Sequence, residues 1–191
     1  MEDFYQQSFY SYTLVPSLTL PTGIGFGPNF KHRAGTSIFN VFGPLWFQSF
    51  EDSDFIDMGF GHQDKLRELS THEFGHSFVN PLLDEFPKEL FDQTEKLFDP
   101  IKSQMMDQGY PDWGYCLDEH FVRAGEVIIA RNMGGIGGTI ELEKEYVEKR
   151  SFIYLSMIID GLAYYNAKKQ ISYKEAVHRV MKKLGAIAHK K

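Results

Sequence analysis

The chain has one cysteine, Cys116, among its 191 residues. A lone thiol closes no internal disulfide, and it excludes a zinc site built from four cysteines. An excess of positive charge is also missing: 20 Lys and Arg stand against 26 Asp and Glu, for a formal net charge of −6. That balance offers no attractive field to nucleic acid or to an anionic membrane, and no basic cluster marks a phosphate-binding patch. No apolar run approaches the roughly 18 residues that would cross a bilayer as a helix, so no transmembrane segment is expected. The opening Met1-Glu2-Asp3-Phe4 lacks the charged-then-apolar plan of a secretory signal. Internal repeats and low-complexity tracts are absent as well. What the chain has in quantity is aromatic: 17 Phe and 10 Tyr within a 42% apolar composition, enough for a sizeable core and contrary to disorder.

The length fits one domain. Within it, residues 1–60 read as sheet-forming and residues 61–191 as helical. Tyr10–Leu20 has the branched and apolar pattern of a strand, and Thr36–Phe42 is a second strand stopped by Gly43-Pro44. Gly23, Gly25 and Gly27 mark a loop or hairpin between them. That loop is no phosphate cradle, because neither a Lys-Ser/Thr pair nor a helix follows it. Helical spacing then predicts helices over 64–80, over 82–108 with breaks at Pro87 and Pro100, over 112–132, and over 141–168. Ser172 and Glu175 form a capping box for a last helix over 173–186. The expected fold class is α+β, a small amino-terminal sheet followed by a mostly helical body.

The segment with chemical content is Thr71-His72-Glu73-Phe74-Gly75-His76, an H-E-x-x-H sequence inside a predicted helix. Residues four apart lie one turn apart on one helix face, so both imidazoles can address one ion. A zinc ion lowers the pKa of a coordinated water to about 7, and Glu73, beside the pair, has the placement of a general base. Gly75 costs the helix roughly 1 kcal/mol against Ala, a cost that commonly has a packing reason. The bland alternative is two satisfied histidines and a surface glutamate. A catalytic zinc needs a third protein ligand. Candidates by residue type are Glu119, His120 and Glu126 on the 112–132 helix, with His62 close to the start of the first. His120 shares an apolar stripe with Trp113, Leu117, Ala124 and Val127, which favours a core role for it.

H-E-x-x-H followed by a later helix carrying a glutamate resembles the gluzincin clan of metallopeptidases, which includes thermolysin-like and aminopeptidase-like enzymes. His72 to Pro81 (HEFGHSFVNP) and Asp118 to Ala124 (DEHFVRA) are similar, more closely, to a bacterial family of predicted gluzincin-like peptidases. Those carry Ser-Phe-Val-Asn-Pro after the histidine-glutamate motif and a later Asn-Glu-x-x-Val-Arg-Ala segment. Tyr12 to Leu18 resembles the strand before the catalytic helix. The resemblance implies a zinc (Zn2+) peptidase with His72, His76 and Glu119 as metal ligands and Glu73 as catalytic base. It leans towards a secreted or cell-envelope protein. Two departures stand out. Asp118 occupies the usual Asn position, and Arg123 stands where thermolysin-like enzymes place an acidic partner.

Gluzincins hold an extended peptide against an edge strand, and by resemblance Ser37–Phe42 is the expected strand. Hydrolysis also needs a donor for the developing oxyanion. Tyr154, Tyr164, Tyr165 and His178 are candidates, with Tyr154 first because it lies on the helix after the glutamate helix. Three functions follow from these residues. The first is a peptidase acting on peptide or protein substrates. The second is a zinc protein that is silent or acts on another bond. The third is a helical module that binds a protein partner.

Overall fold

The computed structural model describes residues 1–50 and 56–189. It is an α+β protein, with a small amino-terminal sheet and then a mostly helical body. Two compact units make up the chain. One is Gln7–Phe78, and the other joins Met1–Gln6, which carries the short helix α1 (Glu2–Tyr5), to Val79–Lys191. The division between them falls inside a helix.

The first unit is built on strands β1 (Ser11–Pro16), β2 (Gly25–Phe26), β3 (Asn29–His32) and β4 (Gly35–Phe42). Burial alternates residue by residue along β1, and in β4 Ile38, Asn40 and Phe42 are buried on one face, as the two-residue period of a strand requires. β4 pairs in parallel with β1, from Ser11 opposite Ser37 to Pro16 opposite Phe42. Its other side is taken by β3 over Gly35–Ile38 and by β2 at Val41 and Phe42, both antiparallel. The strand expected at an edge is thus the centre of the sheet, and both of its backbone sides are hydrogen-bonded. A substrate chain has no room to pair with Ser37–Phe42, which corrects that expectation. The parallel β1–β4 pair is what makes β4 central, because the glycine-rich 23–27 segment folds back on one side while β1 occupies the other.

Helix α2 (Gln63–Asp84) follows. His62 sits at its start, where its Nδ1 accepts from the Lys65 N–H at 3.3 Å and its carbonyl accepts from the Leu66 N–H at 2.9 Å. The helix runs through Pro81 and stops at Asp84, past the expected end at residue 80. Proline removes one backbone donor, yet its fixed φ suits a helix, so a single loss is tolerated when the flanking turns hold.

The helical unit contains α3 (Lys88–Asp92), two short 3₁₀ turns, α4 (Lys102–Asp107), α5 (Trp113–Asn132), α6 (Ile136–Lys144), α7 (Leu155–Lys168) and α8 (Tyr173–Ala188). Pro87 and Pro100 do interrupt the 82–108 stretch. Asp112 caps α5 by accepting from the Tyr115 N–H at 3.1 Å, and Ser172 caps α8 by accepting from the Glu175 N–H at 3.1 Å. α5 packs against α6 and α7, and α7 packs against α8. Because α5 is covered on most sides, even its Glu119, His120, Arg123 and Glu126 are buried. The expected single helix over 141–168 is two. A π turn over Glu145–Lys149 closes α6, Ser151 takes φ 60°, and α7 begins at Leu155. The turn carries Phe152 into full burial, held by its N–H to the Tyr146 carbonyl at 3.0 Å.

Candidate metal centre

His72, Glu73 and His76 lie on the part of α2 that belongs to the sheet unit. The two imidazoles converge: their Nε2 atoms are 3.3 Å apart, with ring planes at 90°. Two nitrogens bound to one tetrahedral zinc at about 2.1 Å stand roughly 3.4 Å from each other, so the pair already has the spacing of a shared ion. The same distance also allows an imidazole–imidazole hydrogen bond in one tautomer. Glu73 is buried, beside the sheet. A side-chain atom added at Gly25 would lie 3.2 Å from Glu73 Oε1, 3.3 Å from Asn40 Oδ1 and 3.3 Å from Leu69 Cδ1. At Gly27 it would collide with the Glu73 backbone carbonyl. Glycine at 25 and 27 is therefore what lets β2 and its turn lie directly on the His-Glu-His helix. Gly75 is itself buried.

Asn40 is wholly buried on β4, and its Nδ2 donates to Ser70 Oγ at 3.0 Å. Its Oδ1 and Glu73 Oε1 border the same small space above Gly25, and nothing in its sequence context marks it out.

On α5, Glu119 is 8% exposed and pairs with Arg123, whose Nη2 is 2.8 Å from Glu119 Oε2. Glu126 receives the Tyr146 hydroxyl at 3.1 Å. Burial lowers the Arg123 pKa, but Glu119 and then Glu126 outweigh that effect and hold the guanidinium above its ordinary range. His120 has the other fate. It is fully buried, its Nδ1 lies 2.7 Å from the Cys116 carbonyl, and its ring packs on Phe152, Tyr154 and Trp113. Burial pushes its pKa down to about 4, so it is a neutral core residue at ordinary pH. Cys116 lies beside it, Sγ 3.6 Å from His120 Nδ1, with its thiol pushed up to about 12 by burial and then by Glu119 and Asp112. Burial thus disfavours the thiolate form that nucleophilic chemistry requires.

The first-choice oxyanion donor has a different occupation. The Tyr154 hydroxyl donates to the Leu97 carbonyl at 2.8 Å from within the core, against Trp113 and His120. Burial raises its pKa. Its place in the core follows from the 150–154 turn, which the uniform helix expected there did not contain. Tyr165 is likewise buried, and its hydroxyl donates to the Phe4 carbonyl. Tyr164 donates to Gln170 at 2.7 Å on the exposed side of α7, and the His178 ring packs on Phe86.

Two residues near the glutamate were not anticipated. Tyr110 accepts from Arg123 Nη2 at 3.3 Å, and its pKa is raised by burial and then by Glu119. Arg123 itself was legible only as a departure from a pattern. Its spacing, four residues after Glu119 and three before Glu126, is that of side chains meeting on one helix face, and this signal would have found it.

Fold and site together describe an α+β protein with a helix-borne His-Glu-His motif and a buried glutamate on a second helix. Residues 2–177 match the family described as a domain of unknown function, DUF4932, and the chain belongs to that family. No curated protein and no solved structure matches it. Among the described residues, no helix is long and apolar enough to cross a membrane.

Proposed function

We propose that the protein is a zinc-dependent peptidase that hydrolyses peptide bonds in peptide or protein substrates. The observation that carries this reading is the His72–His76 pair, whose Nε2 atoms stand 3.3 Å apart. That spacing fits two ligands of one tetrahedral ion, and a buried glutamate intervenes between them in the sequence. Glu119, a buried carboxylate on α5 in the segment that resembles the gluzincin glutamate helix, is the proposed third ligand. Two histidines and a glutamate are the donor set of a catalytic zinc with one position left open. When bound there, zinc would polarise the scissile carbonyl and acidify water.

The chain's own residues do the rest. His72 and His76 present imidazole nitrogens from one face of α2. Glu73, one position along, takes the proton from the attacking water and delivers it to the leaving amine. Its burial against β2 and the following turn keeps the carboxylate in one place. Tyr154 has no part in this scheme, because its hydroxyl is committed to Leu97.

Zinc content by elemental analysis, paired with cleavage of a mixed peptide library, tests the proposal. Wild type should carry one zinc per chain. Glu119→Ala should lose it, His120→Ala should keep it, and Glu73→Gln should keep zinc while cleavage falls by at least about 100-fold, the scale of a positioned general base. A zinc-loaded wild type that cleaves nothing would make this a silent metal protein. A folded, metal-free wild type would favour a protein-binding module.

A further inference from the structure

The geometry points to Arg123 as a positioning residue that orients Glu119 for the metal, an inference that rests on Glu119 being a ligand. Arg123 is 5% exposed in the middle of α5. A buried cation is costly unless several partners compensate it, and an apolar side chain would fill the same space at lower cost. The compensation here is extensive and fixes the guanidinium in one orientation. Nη2 meets Glu119 Oε2 at 2.8 Å, and Nη1 faces Glu126 Oε2 at 3.8 Å. Nη2 also donates to the Tyr110 hydroxyl at 3.3 Å. The guanidinium carbon lies 4.6 Å from the Tyr146 ring centroid and 4.8 Å from that of Phe152.

Each contact has a separate consequence. The two rings restrict the plane of the guanidinium, as cation–π packing does. The Tyr146 hydroxyl holds Glu126 at 3.1 Å, so the far end of the triad is anchored as well. Glu126 offsets the guanidinium charge, and Arg123 therefore orients Glu119 without leaving a net positive charge beside the metal. Where thermolysin-like enzymes have an acid, this chain uses a cation that acts on the glutamate ligand. Lysine would not replace it, having neither the planar fork nor the flat face for the rings.

The test is metal affinity on the full chain, by competition for Zn2+ with a chromophoric chelator, together with the visible absorption of the Co2+-loaded protein. Partners that orient a ligand are worth about 10–100-fold in affinity. Arg123→Met should lose that much, Arg123→Lys should recover only part of it, and both should shift the Co2+ bands. Glu126→Gln, which loosens the anchor, should weaken affinity by a few-fold. If Arg123→Met does not fold, Arg123→Lys and Glu126→Gln decide. Wild-type affinity and an unchanged Co2+ spectrum in folded variants would overturn the inference, whatever their melting temperatures, and would leave the peptidase reading standing. A wild type that binds neither Zn2+ nor Co2+ would overturn both.

Discussion

His120 follows Glu119 directly, yet a step of about 100° round the helix sends it to a different environment. Glu119 meets Arg123, while His120 meets Trp113, Phe152 and Tyr154. The apolar stripe in the sequence already placed His120 in the core, because its neighbours at helical spacing are themselves core residues. Replacing it with Ala should therefore cost about 2–4 kcal/mol of stability, in the range of other large-to-small core changes, with zinc content unchanged. Urea denaturation beside elemental analysis would check this, and loss of zinc would return His120 to the ligand set. Gly27 carries the second prediction at this scale. A methyl group there meets the Glu73 backbone carbonyl, which cannot rotate away as a flexible side chain would. Gly27→Ala should destabilise the protein by about 1–3 kcal/mol, the cost of overpacking, and a melting temperature equal to wild type would contradict it. The sequence marked Gly27 as loop punctuation. Only folding showed which backbone it approaches.

At the scale of elements, the helices with caps and breakers were the legible ones. Asp112 and Ser172 open α5 and α8, and Pro87 and Pro100 interrupt the stretch between α2 and α5. The interruption between α6 and α7 was not legible, because 145–154 holds neither proline nor glycine. There Ser151 adopts φ 60°, a left-handed conformation costing a non-glycine residue roughly 1–2 kcal/mol, offset by the complete burial of Phe152. Ser151→Gly should consequently raise stability by up to about 1 kcal/mol, and Ser151→Val should lower it, both measured as shifts of the denaturation midpoint. Equal midpoints for the two variants would show that the turn stores no such strain. Strand β4 makes a related point. Its residues were recognisable as a strand, but its centrality came from β1, β2 and β3 pairing on its two sides, and pairing partners leave no mark in a strand's own sequence.

Across the whole chain, the first six residues join the helical unit although the sheet follows them immediately. Phe4 and Tyr5 pack with Tyr165 and Tyr173, and the Phe4 carbonyl accepts from Tyr165 and, at 3.2 Å, from Lys169. Phe4→Ala should cost about 3–5 kcal/mol in chemical denaturation. A loss below about 1 kcal/mol would mean that the hexapeptide is not an integral part of that core. By itself, the sequence determined the α+β class, the starts of α2, α5 and α8, and the His-Glu-His helix, because periodicity, capping and motif spacing are local properties carried by neighbouring residues. It also offered Glu119, His120 and Glu126, all on α5, as candidates for a third ligand. The tertiary structure decided which strand is central, that Tyr154 belongs to the core, that Arg123 grips Glu119, and that Gly25 and Gly27 lie on Glu73. Each of those depends on which distant residues share a face or a buried space, and chain collapse alone settles that.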